Sequence, residues 1–247
     1  TRESLIAVKN LLNNKKMVFS NNKHTVNKNF QKWQEFIKNN TLNSADGFKL
    51  LKDYGIDVAE FKVCKSFSEA KKNSKKLGFP VVLKTLKVNL HHKTEINGVF
   101  TDIKNLTELR TKYKDIKKRL GGNVLISKMI SGGLEWSIGM KNDPDFGPAV
   151  MVSLGGTMID LIDEKIVLMA PFSNKELKIK IRKLKSHKLL QGYRGSKKYS
   201  LEKLCETASK LSLLAFDFRE HLKEIDLNPV IILENDAIAV DNVFILS

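Results

Sequence analysis

Apolar positions along this chain follow two different spacings, which together predict a mixture of helices and strands. Continuous apolar runs at residues 81–83 and 124–126 are typical of buried strands. Ser66 is followed three positions later by Glu69, which is the capping-box signature of a helix start. Strands and helices alternate without an internal repeat. The pattern predicts an α/β or α+β fold arranged in two lobes.

Changes in composition divide the chain into three predicted parts. Residues 1–41 are rich in Lys and Asn and carry a few apolar residues at helical spacing. This predicts a helical extension or linker that is loosely attached or docks on something outside the chain. A first lobe is expected over residues 42–126 and a second over residues 127–247.

The C-terminal region predicts a hairpin with oxygen-bearing side chains on one face. Asp226 and Asn228 are two positions apart, so on a strand they share a face. If the last two of residues 234–236 form the loop, Val230 pairs with Asp241 and Asp241 joins that face. A three-residue loop would place it on the opposite face. Such oxygens suit Mg²⁺ carried by nucleotide phosphates, whereas the alternative is an edge hairpin with its polar side in water.

Charge and cysteine content narrow the function classes. The chain has 43 Lys and Arg against 27 Asp and Glu, a net charge of +16 that favours anionic partners. The lysines are scattered and are not interleaved with Arg and aromatic residues, which disfavours nucleic-acid binding. No apolar run reaches the length of a membrane span, and no apolar signal segment opens the chain. Cys64 and Cys205 are isolated, which is typical of a reducing compartment, and we expect a cytoplasmic protein.

Several isolated residues are candidates for phosphate chemistry. Lys84 ends a buried strand and needs an anionic partner, either a carboxylate or a phosphate. Gly98 would let a loop backbone approach phosphates, although the chain lacks a Walker A pattern. His92 could accept a phosphoryl group or could simply be exposed.

Two further candidates follow the middle strands. Glu135 comes two positions after a Gly-Gly turn and could hold ribose hydroxyls or face water. Gly155 and Gly156 follow an apolar strand and form either a phosphate-facing turn or a plain tight turn.

These features occur in the order of a known family. From about Leu42 to Ser247 the chain resembles the ATP-grasp domain of the ADP-forming acyl-CoA synthetases, of the β-subunit type related to succinyl-CoA synthetase. The matching segments, in family order, are residues 50–56, 78–84, 92–95, 143–148, 154–156, 170–171, 190–195 and 224–229, together with Asp241.

The resemblance implies a two-lobed ATP-grasp fold that binds ATP or ADP with Mg²⁺ between its lobes. It implies a reversible ligase that converts acyl-CoA, ADP and phosphate into the free acid, CoA and ATP through a phosphohistidine. The CoA-binding part of the family lies outside the matched region. The expected partner is therefore a CoA-binding α subunit or domain in a hetero-oligomer, without which the chain would be inactive.

The resemblance also implies roles for individual residues. Lys84 would contact phosphates, with Gly98, Gly155 and Gly156 nearby. Backbone groups around Ile126, Ser127, Lys128 and Met129 would hold adenine, and Glu135 would lie near the sugar. Asn228 and Asp241 match the family's Mg²⁺ ligands, with Asp226 beside them, and His92 matches the histidine proposed to take part in the relay.

Some positions depart from the family pattern. The family usually has two glycines where this chain has Asn97 and Gly98. It also has a Glu, a Lys-Asp pair and an Arg where this chain has Asp160, residues 163–164 and Leu168. Loss of cations near a phosphate site removes transition-state contacts. This leaves an alternative: a catalytically degenerate ATP-grasp module that acts as a nucleotide sensor or scaffold in a larger protein.

Overall fold

The computed structural model describes residues 26–88, 98–156, 164–192 and 195–247. The helices in these ranges are α1 (Phe30–Asn39), α2 (Ser44–Asp53), α3 (Phe67–Leu77), α4 (Leu106–Arg119), α5 (Asn174–Ile181), α6 (His187–Leu190) and α7 (Leu201–Asp217). The strands are β1 (Phe61–Cys64), β2 (Val81–Thr85), β3 (Val99–Ile103), β4 (Val124–Lys128), β5 (Leu134–Asp143), β6 (Gly147–Leu154), β7 (Lys165–Met169), β8 (Leu222–Ile232), β9 (Ala237–Ala239) and β10 (Val243–Leu246). No helix among the described residues is long and apolar enough to cross a membrane.

The smaller sheet has four antiparallel strands in the order β1-β4-β2-β3. Helices α3 and α4 cover one face, and the Ser66 hydroxyl accepts the Glu69 N–H at 3.2 Å, as the capping-box pattern predicts. Leu83 and Ile126 belong to the core beneath these helices. Because side chains alternate along β2, the neighbouring Lys84 points to the opposite face of the sheet.

The larger sheet is antiparallel, in the order β10-β8-β5-β6-β7, with β9 also paired to β8. Trp136, Ile138 and Met140 alternate toward a buried face that α7 covers. Burial of each such side chain contributes about 1.5–3 kcal/mol, so this layer fixes the strand register. On the opposite face, Met151 and Val167 lie side by side and are exposed, which leaves that face open.

Helices α1 and α2 pack on the larger core. Trp33 of α1 is buried, and its indole N–H donates to Asp53 at 2.7 Å. Phe48 and Leu51 of α2 belong to the same core as the larger sheet. The expectation of a loose or externally docked N-terminal extension is therefore wrong for α1, because its apolar residues pack on the core of this chain. The boundaries of the two lobes stay a prediction. The packing shows that α2, which lies in the predicted first lobe, shares its core with the larger sheet of the second.

Candidate functional site

The hairpin between β8 and β9 has a two-residue loop, but not the one expected. The Leu233 N–H donates to the Asp236 carbonyl at 2.8 Å, so the loop lies between these two residues. The expected pairing of Val230 with Asp241 is wrong, since Val230 pairs with Ala239. The loop begins one position earlier, which shifts the pairing by two residues. Because side chains alternate with period two, Asp241 keeps the predicted face.

One face of β8 and the strand beside it collects the predicted oxygen ligands. β9 and β10 pair with β8 in the same register as far as Ile245, with Val243 opposite Asp226, which places Asp241 across from Asn228. Glu224 lies on the same face two positions before Asp226, while the intervening residues are buried in the core. Glu224 was missed from the sequence, although the same period-two rule would have included it.

Electrostatics at this face favour a bound cation. Desolvation by burial raises the pKa of Asp226, and the negative charges of Glu224 and Asp241 raise it further. No group of three or more His, Cys, Asp or Glu side chains in the described ranges is arranged to hold a metal ion. The predicted set contains two carboxylates and one amide, Asn228. That composition fits Mg²⁺, which usually binds one or two carboxylates and shares the ion with substrate phosphates.

Lys84 joins the smaller sheet to this face. Its Nζ lies 3.1 Å from Oδ1 of Asp241 and donates to the Val240 carbonyl at 2.6 Å. The side chain is buried, with a relative exposure of 5%. The sequence left a carboxylate or a phosphate as partners of Lys84, and the structure has the carboxylate. These contacts use two of the three N–H bonds of the ammonium group.

Gly98 lies beside Lys84 at the edge of the smaller sheet. Its carbonyl accepts the Thr85 N–H at 2.9 Å, and the next residue, Val99, pairs with Lys84. The structure therefore brings Gly98 and Lys84 together. The remaining candidates and departures of the neighbouring loops lie outside the described residues: His92, Asn97, Asp160 and Asp163.

Predicted adenine-binding residues lie on β4 and just after it. Ser127 is buried on the face that carries Lys84, because its partner Val82 lies two positions before Lys84 on β2. The side chain of Ile126 packs in the core of the smaller sheet, on the face opposite Lys84, so only its backbone groups could take part in the predicted adenine contact. The Met129 N–H donates to the Pro80 carbonyl at 3.3 Å. Because the Met129 N–H is already bonded, a base at this edge would form hydrogen bonds with backbone carbonyl groups, or with N–H groups of residues after Met129.

Glu135 and the two glycines form one contact. The Gly155 N–H donates to the Glu135 carbonyl at 2.8 Å. A Cβ atom at Gly155 would lie 3.0 Å from the Trp136 carbonyl carbon, and one at Gly156 only 2.2 Å from Oε2 of Glu135. Gly156 also has a φ of +62°, which favours glycine. The turn is thus packed against an exposed Glu135.

Two departures from the family pattern have structural roles here. Glu164 accepts the N–H groups of Lys185 and Ser186 at 2.9 and 2.8 Å. Although desolvation opposes it, these hydrogen bonds hold the pKa of Glu164 below its usual range. Leu168 is 4% exposed and belongs to the larger core. Neither position presents a cation to the open face.

Lys165 is a cation that the sequence interpretation missed. It pairs with Ser153 of β6, which pairs with Ser137 of β5, and Ser137 is two positions from the Gly139 that pairs with Asp226. Lys165 therefore lies on the open face, two strands from β5. Alternation along β7 could have indicated this, because Lys165 and the buried Leu168 differ by an odd number of positions.

Comparison with known proteins identifies the family of this fold. The chain matches the ATP-grasp domain family over residues 36–246, and it belongs to that family. It is similar to the β subunit of ADP-forming acetate–CoA ligase I from Pyrococcus furiosus, at 36% identity over 217 residues that cover 85% of this chain and 93% of the relative. These findings confirm the predicted two-lobed ATP-grasp fold and the resemblance to β subunits of ADP-forming acyl-CoA ligases.

Longer relatives and a solved structure agree with this placement. ADP-forming 4-hydroxybutyrate–CoA ligase from Nitrosopumilus maritimus is 36% identical over 224 residues, which cover 87% of this chain but 32% of the ligase. The chain thus spans about a third of that relative. The dinucleotide forming acetyl-coenzyme A synthetase 1 of Ca. Korarchaeum cryptofilum, solved with coenzyme A and Mg-AMPPCP and with its phosphohistidine segment pointing towards the nucleotide site, superposes with a TM-score of 0.75. It is 28% identical, and the match covers 90% of this chain and 100% of that one.

Proposed function

We propose that this chain is the nucleotide-binding part of an ADP-forming acyl-CoA synthetase. The reaction interconverts acyl-CoA, ADP and phosphate with the free acid, CoA and ATP. The observation that carries the proposal is the Lys84–Asp241 contact, which joins the two sheets beside the oxygens of Asp226 and Asn228. A cation suited to phosphate and oxygens suited to a metal thus lie on the two sides of one junction.

Charge explains why the metal and the nucleotide would bind together. Asp226, Asn228 and Asp241 would hold Mg²⁺, which supplies neutralisation of the phosphate charge when bound. Without it, the carboxylates of Glu224, Asp226 and Asp241 outnumber the cation of Lys84, so metal-free ADP would bind more weakly than Mg-ADP. Lys84 would give its third N–H to a phosphate oxygen while it keeps its contact with Asp241.

The rest of the nucleotide would extend along the cleft between the sheets. Gly98 would lie at the phosphates beside Lys84. Glu135 would accept ribose hydroxyls, with Gly155 and Gly156 shaping the turn against it. The backbone near Met129 would hold the base.

Phosphoryl transfer would depend on a second subunit. His92 would take part in a phosphohistidine relay between this chain and a CoA-binding α subunit or domain, in a hetero-oligomer. The similarity to a protein named a β subunit supports this arrangement. In such a site the protein acts by positioning and by stabilising charge on the transferred group.

Two measurements test the proposal. Calorimetry of the chain with Mg-ADP should give saturable binding at one site. Mixing the chain with a CoA-binding subunit, acetyl-CoA, ADP and phosphate should yield ATP, and His92→Asn should abolish ATP formation while the affinity for Mg-ADP stays within about twofold. Absence of Mg-ADP binding by the folded chain would refute the proposal, and full activity of the variant would remove His92 from the relay.

A degenerate nucleotide-sensing module is the second candidate. Two residues favour it. Leu168 is buried in the core where the family pattern has an Arg, and Glu164 binds backbone N–H groups where the family pattern has an acid. This alternative predicts Mg-ADP binding of the same strength without ATP formation. The two assays above therefore separate it from the leading proposal.

A further inference from the structure

The residue after Asp241 connects the hairpin to a helix almost two hundred positions away in the chain. Asn242 is 2% exposed, and its side-chain amide donates to the Ser44 carbonyl at the start of α2, at 3.0 Å. Its own backbone N–H donates to Oδ1 of Asp241 at 2.9 Å. Asn242 therefore ties the Asp241 carboxylate, through one residue, to the first turn of α2.

The backbone on the other side of Asp241 is also fastened. The Val240 N–H donates to the Pro229 carbonyl at 3.2 Å, and the Val240 carbonyl accepts from Lys84. Ala239 exchanges hydrogen bonds with the segment before β1, at 2.9 and 3.0 Å. Asp241 is thus held from both sides along the chain and by Lys84 at its own carboxylate.

Gly47 explains how Asn242 can lie so close to α2. A Cβ atom at Gly47 would lie 2.1 Å from Oδ1 of Asn242 and 2.8 Å from Cε2 of Phe244. Glycine weakens the interior of a helix relative to alanine, so its presence here needs another reason. The close approach of Asn242 supplies one. Oδ1 of Asn242 is buried without a hydrogen-bond partner among the described residues, so the Nδ2 bond to Ser44 is the polar contact that fixes this side chain.

We propose that Gly47 and Asn242 are positioning residues for Asp241 as a metal ligand. The inference rests on the proposed Mg-nucleotide site. It adds that residues on the opposite side of the hairpin determine the orientation of Asp241 in that site. Neither residue touches the ligand. An alanine at position 47 would push the Asn242 side chain away from α2, and the adjoining Asp241 carboxylate would turn with it. Removing the Asn242 amide would release the same carboxylate without adding bulk.

The test compares Gly47→Ala, Asn242→Ala, the double variant and a control. Each folded full chain is titrated calorimetrically with ADP in excess Mg²⁺ and with ADP in EDTA, and its melting temperature is measured without ligand. Each single variant should bind Mg-ADP about tenfold more weakly, the effect expected of residues that orient a metal ligand. Binding of metal-free ADP should stay within about twofold of wild type. Lys49→Ala, an exposed change on the same helix, should leave both affinities unchanged.

The double variant distinguishes positioning from general damage. Once the Asn242 side chain is shortened, the added Cβ no longer meets its oxygen and only the Phe244 ring has to shift, so the double variant should bind Mg-ADP about as well as Asn242→Ala. Unchanged Mg-ADP affinity in both single variants would overturn the proposal. Equal losses with and without metal would also overturn it, because they indicate a purely structural role. If Gly47→Ala does not fold, Asn242→Leu, which keeps a similar shape but loses the donor to Ser44 and adds no charge, gives the same test. Wild-type protein that fails to bind Mg-ADP would instead refute the proposed function itself.

Discussion

The two ends of the proposed nucleotide site are built differently. At the hairpin end, Asp241 contacts a buried Lys84 and lies beside the fixed Asn242, and Asp226 is largely withdrawn from water. At the opposite end, Glu135 is exposed and rests against the turn at Gly156. One end is a network of charges fixed before any ligand binds. The other is a single exposed side chain beside a tight turn.

This difference indicates how the site would use preorganisation. Protein groups that contact a charged part of a ligand contribute most to its binding when they are already oriented, because no reorganisation is then needed. The ribose carries no charge, so a contact with it tolerates an exposed side chain. Substitutions at the hairpin end should therefore have larger effects, and effects that depend on the metal, whereas changes at Glu135 should be small and independent of it.

Replacement of Lys84 should have the largest effect. Lys84→Met removes the phosphate contact and leaves the Asp241 carboxylate without its partner, so Mg-ADP affinity should fall about 100-fold, or 2.7 kcal/mol, as measured by calorimetry. Lys84→Arg keeps the charge but has a longer side chain with a planar head group, so its affinity for Mg-ADP should lie between those of the wild type and the methionine variant. Affinity within threefold of wild type in the methionine variant would remove Lys84 from the site.

Asp226→Asn should weaken binding but stabilise the ligand-free protein. The affinity for Mg-ADP should fall about tenfold, since a charged metal ligand becomes neutral. At neutral pH the melting temperature without ligand should rise, because the variant no longer carries a charge in a desolvated site near two other carboxylates. A lower melting temperature together with unchanged affinity would contradict both parts.

The pH dependence of this effect has a defined sign. Burial and the neighbouring charges raise the pKa of Asp226 above its ordinary 3.8 in the folded state. The folded state therefore holds its proton more tightly than the unfolded state does, and the penalty is absent below pH 3.8 and grows as the pH rises through the folded pKa. The stability advantage of Asp226→Asn should thus increase from acid to neutral pH in denaturant titrations. A constant advantage would show that charge is not its cause.

Changes at the exposed end should be smaller and should not depend on metal. Gly156→Ala places a Cβ 2.2 Å from Oε2 of Glu135 at a positive φ, so it should displace that side chain and lower stability by about 1 kcal/mol. ADP affinity should fall about threefold, equally with and without Mg²⁺. A loss confined to Mg-ADP would mean that Glu135 acts at the metal and would break the comparison between the two ends.

Lys165→Ala should have the smallest effect. Lys165 lies on the open face but two strands away from β5, so it would contribute through its charge at a distance. We expect a loss of about twofold in Mg-ADP affinity that disappears at high salt. A tenfold loss would instead indicate that Lys165 replaces the cation of the family pattern directly.

Much of the architecture could be predicted from the sequence because it depends on local spacing. Apolar runs marked the buried strands, Ser66 and Glu69 marked the start of α3, and period two placed Asp226 and Asn228 on one face. The same rule predicted the correct face for Asp241 although the turn was misplaced by one residue. That error shifts the strand pairing by two residues, which leaves the face unchanged.

What could not be predicted depends on contacts between distant segments. The spacing of Trp33 showed an amphipathic helix but not that its apolar face packs on the chain's own core. Lys84 needed an anion, yet only the folded chain shows that Asp241 is that anion. The contact of Gly47 with Asn242 arises from packing of α2 against the hairpin, and no local pattern marks either residue.

The most direct test is to locate a bound metal. A crystal of the chain grown with ADP and Mn²⁺ in place of Mg²⁺ should show an anomalous peak within about 2.5 Å of side-chain oxygens of Asp226, Asn228 or Asp241, with the diphosphate between this peak and Lys84. A peak elsewhere, or nucleotide bound with Lys84 and Asp241 both remote from its phosphates, would contradict the account.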